Sequence, residues 1–561
     1  METNNRVLII GLDGATWDVL DPWIKDGTLP NLGRLRAQGS WGPLHSSVPP
    51  ITAAAWSTFM TGKRPGKHGV YHFVKLFDDD AEPSGEPELV SARSLKSPAL
   101  WDTLAHHDRR VVLINIPLTF PPRPVNGVMI TGLLTPSSAP VFTYPPELSA
   151  HLTDYQIDLQ RFMDKTPHVD TFEEKLTAPT LELVQEFRDM EEKRARVSFE
   201  LMASEPWDFF MVVFTGTDRM GHYLWPYHRS PHPDDRPEVQ QLCEAVRAYY
   251  TRLDEIVGEL VAQAGEDVVT LIMSDHGMGP VDTKRFHCNN WLHQHGWLAA
   301  RSNKSGLASA DGWLKRLGLP RDKIGKLIHR IPGLANTKVV KKAANSRTAA
   351  VDLEQSKAYC VPIFYNIMGI RIRAKGEEKQ RLYDEIMQAL PEITDPETGR
   401  PIVQRAFRGT DYYEGAEGAS IPDIIAITDP EYGCSYYLSH YSSVVTRRAV
   451  ASGPAKHRSE GIFIAYGPGV QVQAAPLPDL HIEDVAPTAL HSMGVAVPAD
   501  MDGRVLTETF APETPASRSA QPGAAMVYWP SAEQPAFDED EMSAEDEAEI
   551  RDRLRALGYF E

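Results

Sequence analysis

Three apolar runs in this sequence end in an aspartate, and a carboxylate so placed can hold a metal ion. Arg6 to Leu12 runs into Asp13-Gly14, Trp207 to Phe214 runs into Thr215-Gly216-Thr217-Asp218, and Val268 to Met273 runs into Ser274-Asp275-His276-Gly277. Each run is short, apolar and rich in β-branched or aromatic residues, the pattern of a buried strand. In open α/β sheets ligands bind at the carboxyl ends of the strands, so the three acids are expected at one edge. Two histidines join them. His222 follows Asp218 by four residues, which puts both on one face of a helix that starts after the strand, and His276 adjoins Asp275. Carboxylate and imidazole donors together suit a divalent cation. Taken singly, the same residues also read as a turn-forming Asp-Gly pair, a capping acid and a surface histidine.

A hydroxyl that such a cation could activate lies earlier in the chain. Thr52 follows Pro49-Pro50-Ile51 and precedes Ala53-Ala54-Ala55-Trp56, so a stiffened approach leads into a run of helix formers and Thr52 is expected at a helix N-terminus. Backbone N–H groups and the helix dipole favour a phosphate or sulfate there, and a neighbouring cation would ionise the hydroxyl into a nucleophile. Alone, a threonine in this position is an ordinary N-cap. His457, within Gly453-Pro454-Ala455-Lys456-His457-Arg458, precedes the strand-like run Gly461 to Ala465 and is expected to reach the site from a loop.

The elements that must position these groups alternate between strand and helix patterns. Further strands are expected over 110–115 and 128–131, a strand pair over 358–373 and another strand over 421–427; helices are expected over 29–39, 176–205, 239–263, 380–390 and 482–491. Between Thr135 and Lys165 the chain is rich in Pro, Tyr and Asp, an excursion from the sheet. The organisation expected is a catalytic domain over 1–300 and 350–508, a partly inserted region over 135–200, a basic helical insert over 301–349, and a Pro/Ala-rich linker with an acidic C-terminal helix over 509–561. The insert stands out by charge: residues 301–347 hold twelve Lys and Arg against Asp311 and Asp322. A solvated insertion, a lid that attracts an anionic substrate, and an element touching acidic lipid all fit it.

Composition bounds the function. With 42% hydrophobic and 24% charged residues the chain is ordinary globular material, and its net charge of -19 argues against binding a nucleic acid duplex. The N-terminus lacks the basic region and apolar core of a signal peptide, and no apolar run is long enough to span a bilayer, so a cytoplasmic location is expected. The four cysteines form neither a disulfide framework nor a metal knuckle.

In this order, the strand ending in Asp13, Thr52 before Thr61-Gly62, Asp218-x-x-x-His222, Asp275-His276-Gly277, and His457 before Gly-Ile-Phe-Ile-Ala-x-Gly-Pro resemble the alkaline phosphatase superfamily. The nearest branch is type I phosphodiesterase/nucleotide pyrophosphatase, with relatives described as phosphohydrolases or phosphomutases, and the resemblance covers roughly residues 6–300 and 350–505. It implies an α/β fold with a largely parallel central sheet between helix layers. It also implies that Asp218, His222 and His457 bind one divalent metal, that Asp13, Asp275 and His276 bind a second, and that Thr52 reaches toward both. Zn²⁺ suits that mixed donor set best, with Mn²⁺ as the alternative. The implied activity is hydrolysis of a small anionic phosphoester, nucleotide or phospholipid-derived, through a phospho-threonine. A phosphomutase or phosphomonoesterase on the same site is the nearest alternative. A non-catalytic metal-binding scaffold is the alternative from another class, and it predicts a broken ligand set. Phosphodiesterase relatives carry an Asn near the position where this chain reads His68-Gly69-Val70-Tyr71-His72; His72, Lys63 or Lys67 could take its place. Cys243-Glu244-Ala245-Val246-Arg247 matches a permissive sulfatase pattern but falls mid-helix, after the nucleophile position is already filled by Thr52.

Overall fold

Strands Val268–Met273, Arg6–Leu12, Phe209–Phe214, Val111–Ile116 and Gly127–Thr131 pair in that order, all parallel. Their residues are buried on both faces, which is why the sequence shows continuous apolar runs rather than alternation. Helices Pro30–Ala37, Thr180–Ser204 and Pro237–Ala264 cover the face made by Leu8, Ile10, Leu12, Phe210, Val212 and Ile272. On the other face Gly11 meets the ring of Trp56 from helix Thr52–Thr61, and helix Val485–Ser492 packs against both that helix and helix Leu100–His106. The result is a mostly parallel α/β sheet between helix layers, as the sequence implied. Among the described residues the sheet extends to nine strands. Glu460–Tyr466 adds antiparallel beside Val268–Met273, followed by Ser40–His45 and Leu480–His481, and Thr143–Tyr144 closes the far edge.

This computed structural model describes residues 6–75, 88–159, 180–228, 234–301, 351–415, 421–438, 443–447, 455–518, 522–523 and 542–556. The basic insert therefore lies, from residue 302 on, outside the described residues. The chain divides into two compact units: residues 1–281, 413–420 and 451–561 form the first, and 282–412 with 421–450 the second. The second unit has its own core. Ala358–Phe364, Ile367–Ile372, Ile424–Thr428 and Val403–Arg408 make a four-stranded antiparallel sheet, and helix Gly376–Ala389 contributes Leu382 and Ile386 to its core.

In the first unit the C-terminal helix Ala544–Ala556 buries Ile550 and Leu554, and its Asp546 and Glu549 accept hydrogen bonds from Ser138 and Ser137. An acidic face bonded to hydroxyls and an apolar face turned inward explain why this short helix docks on the body of the unit. Among the described residues no helix is long and apolar enough to cross a membrane.

Candidate active site

Because Val268–Met273, Arg6–Leu12 and Phe209–Phe214 run side by side and parallel, their carboxyl ends deliver the next residues of each segment to one edge. Asp13 comes directly after its strand, Asp275 stands two residues beyond Met273, and Asp218 lies in the first turn of helix Gly216–Leu224. Gly14 lets them close up. Its φ of +69° is left-handed, and a Cβ there would stand 2.9 Å from the Asp218 Cα, so any side chain would push the two strand ends apart. Its N–H donates to Asp275 Oδ1 at 3.2 Å.

The histidines enter from three directions. His222, one helical turn after Asp218, places Nε2 3.4 Å from Asp218 Oδ1. His276 places Nε2 3.3 Å from Asp275 Oδ2 and 3.6 Å from Asp13 Oδ1, while its Nδ1–H donates to the Gly277 carbonyl at 3.1 Å. The sequence predicts a loop position for His457; it lies instead in the strand Ala455–Arg458, antiparallel to Gly277–Pro280 and opposite Met278. The segment Ala-Lys-His-Arg lacks strand formers, so pairing with its partner strand, not local propensity, makes it extended. Strand alternation then buries His457 while Lys456 and Arg458 stay half-buried. His457 Nε2 comes 3.3 Å from Asp218 Oδ1 and 3.0 Å from His222 Nε2, and its Nδ1–H donates to the Pro50 carbonyl at 2.8 Å. With both Nδ1 protons committed to carbonyls, His276 and His457 turn unprotonated Nε2 atoms toward the acids, the orientation of metal-binding imidazoles.

Thr52 is the first residue of the wholly buried helix Thr52–Thr61, and its Oγ1 stands 3.3 Å from His276 Nε2. One turn later the Trp56 indole N–H donates to Asp13 Oδ2 at 3.1 Å, so the helix that carries the hydroxyl also orients one of the acids. Gly11 makes room for that ring: a Cβ there would lie 2.6 Å from it.

Electrostatically the cluster is incomplete as protein alone. Asp13, Asp218, Asp275, His276 and His457 are essentially inaccessible to water. One oxygen on each acid, Asp13 Oδ1, Asp218 Oδ1 and Asp275 Oδ2, accepts no hydrogen bond of good geometry. Burial, and then the Asp218 charge, push Asp13 up to about 8; burial with the Asp13 and Asp218 charges pushes Asp275 well up also. Burial acts on Asp218 in the same sense, but His222, His457 and Arg219 outweigh it and hold it well down. Burial pushes His276 and His457 down, toward the neutral, ligating form. Three converging acids with bare oxygens, beside neutral imidazoles, fit divalent cations. Two compact triads, Asp218–His276–His457 and Asp13–Asp275–His276, bring one donor atom from each residue within metal-sharing distance.

All seven residues that the sequence singles out thus gather in the first unit. The neighbours that hold them carry no such mark: Trp56, the buried Arg219 that bonds Asp218 Oδ2, and Asp158, which bonds Arg219. Arg219 sits inside the Asp218-x-x-x-His222 spacing, and an arginine at such a position is the one signal the sequence offers. Of the three groups considered in place of the missing Asn, Lys63 is ion-paired with Asp500 and Lys67 with Asp502, whereas His72 is buried and pushed down to about 4 by burial. A cavity of about 460 Å³ includes Asp158 and Arg553 in its wall and none of the seven residues.

Among known proteins, the family described as type I phosphodiesterase / nucleotide pyrophosphatase matches residues 7–445. Solved structures similar to this chain include phosphonoacetate hydrolase from Sinorhizobium meliloti 1021 in complex with phosphonoacetate, at 15% identity over 88% of this chain and 96% of that one, with a TM-score of 0.47. Human ectonucleotide pyrophosphatase / phosphodiesterase 5 is similar at 13% identity over 90% and 98% of the two chains, with a TM-score of 0.45. No curated protein matches the sequence significantly.

Proposed function

Because the chain belongs to the type I phosphodiesterase / nucleotide pyrophosphatase family and is a phosphoester hydrolase, we propose that it cleaves a small phosphodiester with Thr52 as nucleophile at a two-cation site. The observation that carries this reading is the convergence of three bare carboxylate oxygens and three imidazoles on the Thr52 end of a helix. Asp218, His222 and His457 would hold one cation, since their donor atoms lie 3.0 to 3.4 Å apart. Asp13, Asp275 and His276 would hold the other; His276 is nearer to Asp275 than to Asp218, at 3.3 against 4.0 Å, which favours this division over one that gives His276 to the first set. Zn²⁺ fits three imidazoles and three carboxylates, with Mn²⁺ second. Bound there, the cations would acidify the Thr52 hydroxyl and neutralise charge on the phosphate oxygens.

The chain's own residues carry the rest. Thr52 Oγ1 forms a bond to phosphorus as the alkoxy group leaves in line with its electron pair and takes up a proton. Water then forms the new P–O bond, the P–Oγ1 bond breaks, and a proton returns to Thr52. The first N–H groups of the Thr52 helix face the anion that the reaction generates. His457, whose Nδ1–H donates to the Pro50 carbonyl, ties the approach to Thr52 to the acid cluster. With Lys63 and Lys67 committed to Asp500 and Asp502, His72 is assigned the role of the Asn that phosphodiesterase relatives carry. The substrate is a nucleotide or phospholipid-derived phosphoester, met in the cytoplasm.

The test is hydrolysis of bis-p-nitrophenyl phosphate and p-nitrophenyl phosphate side by side, with Zn²⁺ or Mn²⁺ and with Thr52→Ala as control. A Thr52-dependent preference for the diester supports the reading. A preference for the monoester moves phosphatase or mutase chemistry ahead, and equal activity in Thr52→Ala removes Thr52 from the nucleophile's role.

A further inference from the structure

Arg219 occupies the second position of the Asp218-x-x-x-His222 pair, buried with 2% of its surface exposed. Its guanidinium is used from both sides. Nη1 donates to Asp218 Oδ2, while Nη2 and Nε fork onto the two oxygens of Asp158 at 2.7 and 3.4 Å. Asp158 is itself buried and comes from the excursion after Thr135, 61 residues away in sequence. Burying an arginine between two acids is costly unless the geometry is good and the donors are satisfied, and here the fork onto Asp158 fixes the guanidinium plane. The consequence falls on Asp218. Its Oδ2 is taken, so the carboxylate cannot rotate, and its other oxygen, Oδ1, is left facing His222 and His457 without a hydrogen bond of good geometry. Asp158 also cancels the charge of Arg219, so a cation beside Asp218 meets a neutral pair rather than a lone positive charge. Burial works against the Asp158 charge, but Arg219 and, to a smaller extent, Arg553 of the C-terminal helix, which lines the same cavity, hold the carboxylate ionised.

We propose that Arg219 and Asp158 are positioning residues for one of the two cation sites: the pair fixes Asp218 as a one-oxygen ligand and keeps that site's charge balanced. The inference rests on the two-cation reading above and goes beyond it. Two consequences distinguish it from a merely structural ion pair. Only the site containing Asp218, His222 and His457 should weaken when the pair is disturbed. Asp158 should act solely through Arg219, so the double variant should be no worse than the poorer single one.

The experiment is chelator competition with Zn²⁺, together with metal content per chain, on the full-length protein. His222→Ala marks the site in question and Asp13→Ala the other. Arg219→Gln and Asp158→Asn should each weaken the His222-marked site by about tenfold or more and leave the other within about twofold; Arg219→Lys, which offers a point charge but no fork, should fall between. Far-UV circular dichroism and metal-free melting establish that each variant folds, and if Arg219→Gln does not, Asp158→Asn and Arg219→Lys read the same site. Unchanged affinity at both sites, equal weakening of both in a folded variant, or additive loss in the double variant overturns the proposal. A wild-type protein that binds fewer than two cations contradicts the two-cation reading itself, a different result.

Discussion

Asp13 and Asp395 both have side chains closed to water, one deep in the first unit and the other just beneath the surface of the second, and they meet opposite fates. Around Asp395, Lys284 and the Tyr432 hydroxyl donate to the same carboxylate oxygen, and Glu397 N donates to the other at 2.8 Å. Burial works against its charge, but those donors prevail and hold the group below the ordinary carboxylate range. Around Asp13, the Trp56 indole donates to one oxygen, the other accepts no hydrogen bond of good geometry, and burial with the Asp218 charge pushes the group up to about 8. Loss of contact with water therefore marks nothing by itself. The difference between a structural carboxylate and one built for a cation is whether the protein completes its hydrogen bonds.

The largest expected effect lies at the hydroxyl that this incomplete cluster faces. Thr52→Ala should lower diester turnover by roughly four to six orders of magnitude while the protein keeps its metal content; elemental analysis beside kinetics checks both. Next comes the comparison itself. Asp13→Asn should lose one cation per chain, yet near neutral pH its metal-free form should melt above metal-free wild type, because folding no longer has to protonate a carboxyl pushed up to about 8. Asp395→Asn should do the reverse, keeping both cations and melting several degrees lower. Matching shifts in the two variants would erase the distinction between the two carboxylates.

Buried imidazoles sharpen the same contrast through pH. Burial, with a smaller effect of Lys63, pushes His68 down to about 3, and its ring accepts from Val70 N at 3.2 Å and meets Thr58 Oγ1 at 3.0 Å, a completed environment. Below the unfolded value near 6.5, the unfolded chain binds a proton that the folded one refuses, so stability falls as pH drops from about 6.5 toward 3. Between about pH 7 and 5 this single group accounts for about 2 kcal/mol of that loss. Denaturant titrations should show the loss reduced by that amount in His68→Gln; an unchanged loss would mean the imidazole is not buried neutral. The smallest effect belongs to the role assigned to His72: His72→Asn should raise diester over monoester preference by about fivefold, the worth of one hydrogen bond, and an unchanged preference would remove His72 from that role.

Legibility in the sequence depends on how local each feature's cause is. Asp13 and Asp275 are readable because an apolar strand runs almost straight into each, and His222 because helical spacing fixes its face relative to Asp218. Thr52 is readable from prolines followed by helix formers. All of these are local patterns. His457 reads as a loop residue because its strand exists only through pairing with Gly277–Pro280. Trp56 is core packing by type alone, and only the sheet's close approach at Gly11 turns its indole toward Asp13. Asp158 and Arg219 meet across 61 residues, a distance no periodicity spans. In the second unit, the strands over 358–372 and 424–428 are readable one by one, but their order in an antiparallel sheet with Val403–Arg408 is not.

The most direct test of the central claim is the number of divalent cations bound per chain. Wild-type protein, loaded with Zn²⁺, freed of excess and measured by elemental analysis, should hold two, falling to one in either His222→Ala or Asp13→Asn. A wild-type chain that binds none, or two that survive both substitutions, would contradict the account: the bare oxygens of Asp13, Asp218 and Asp275 would then not be what holds the cations.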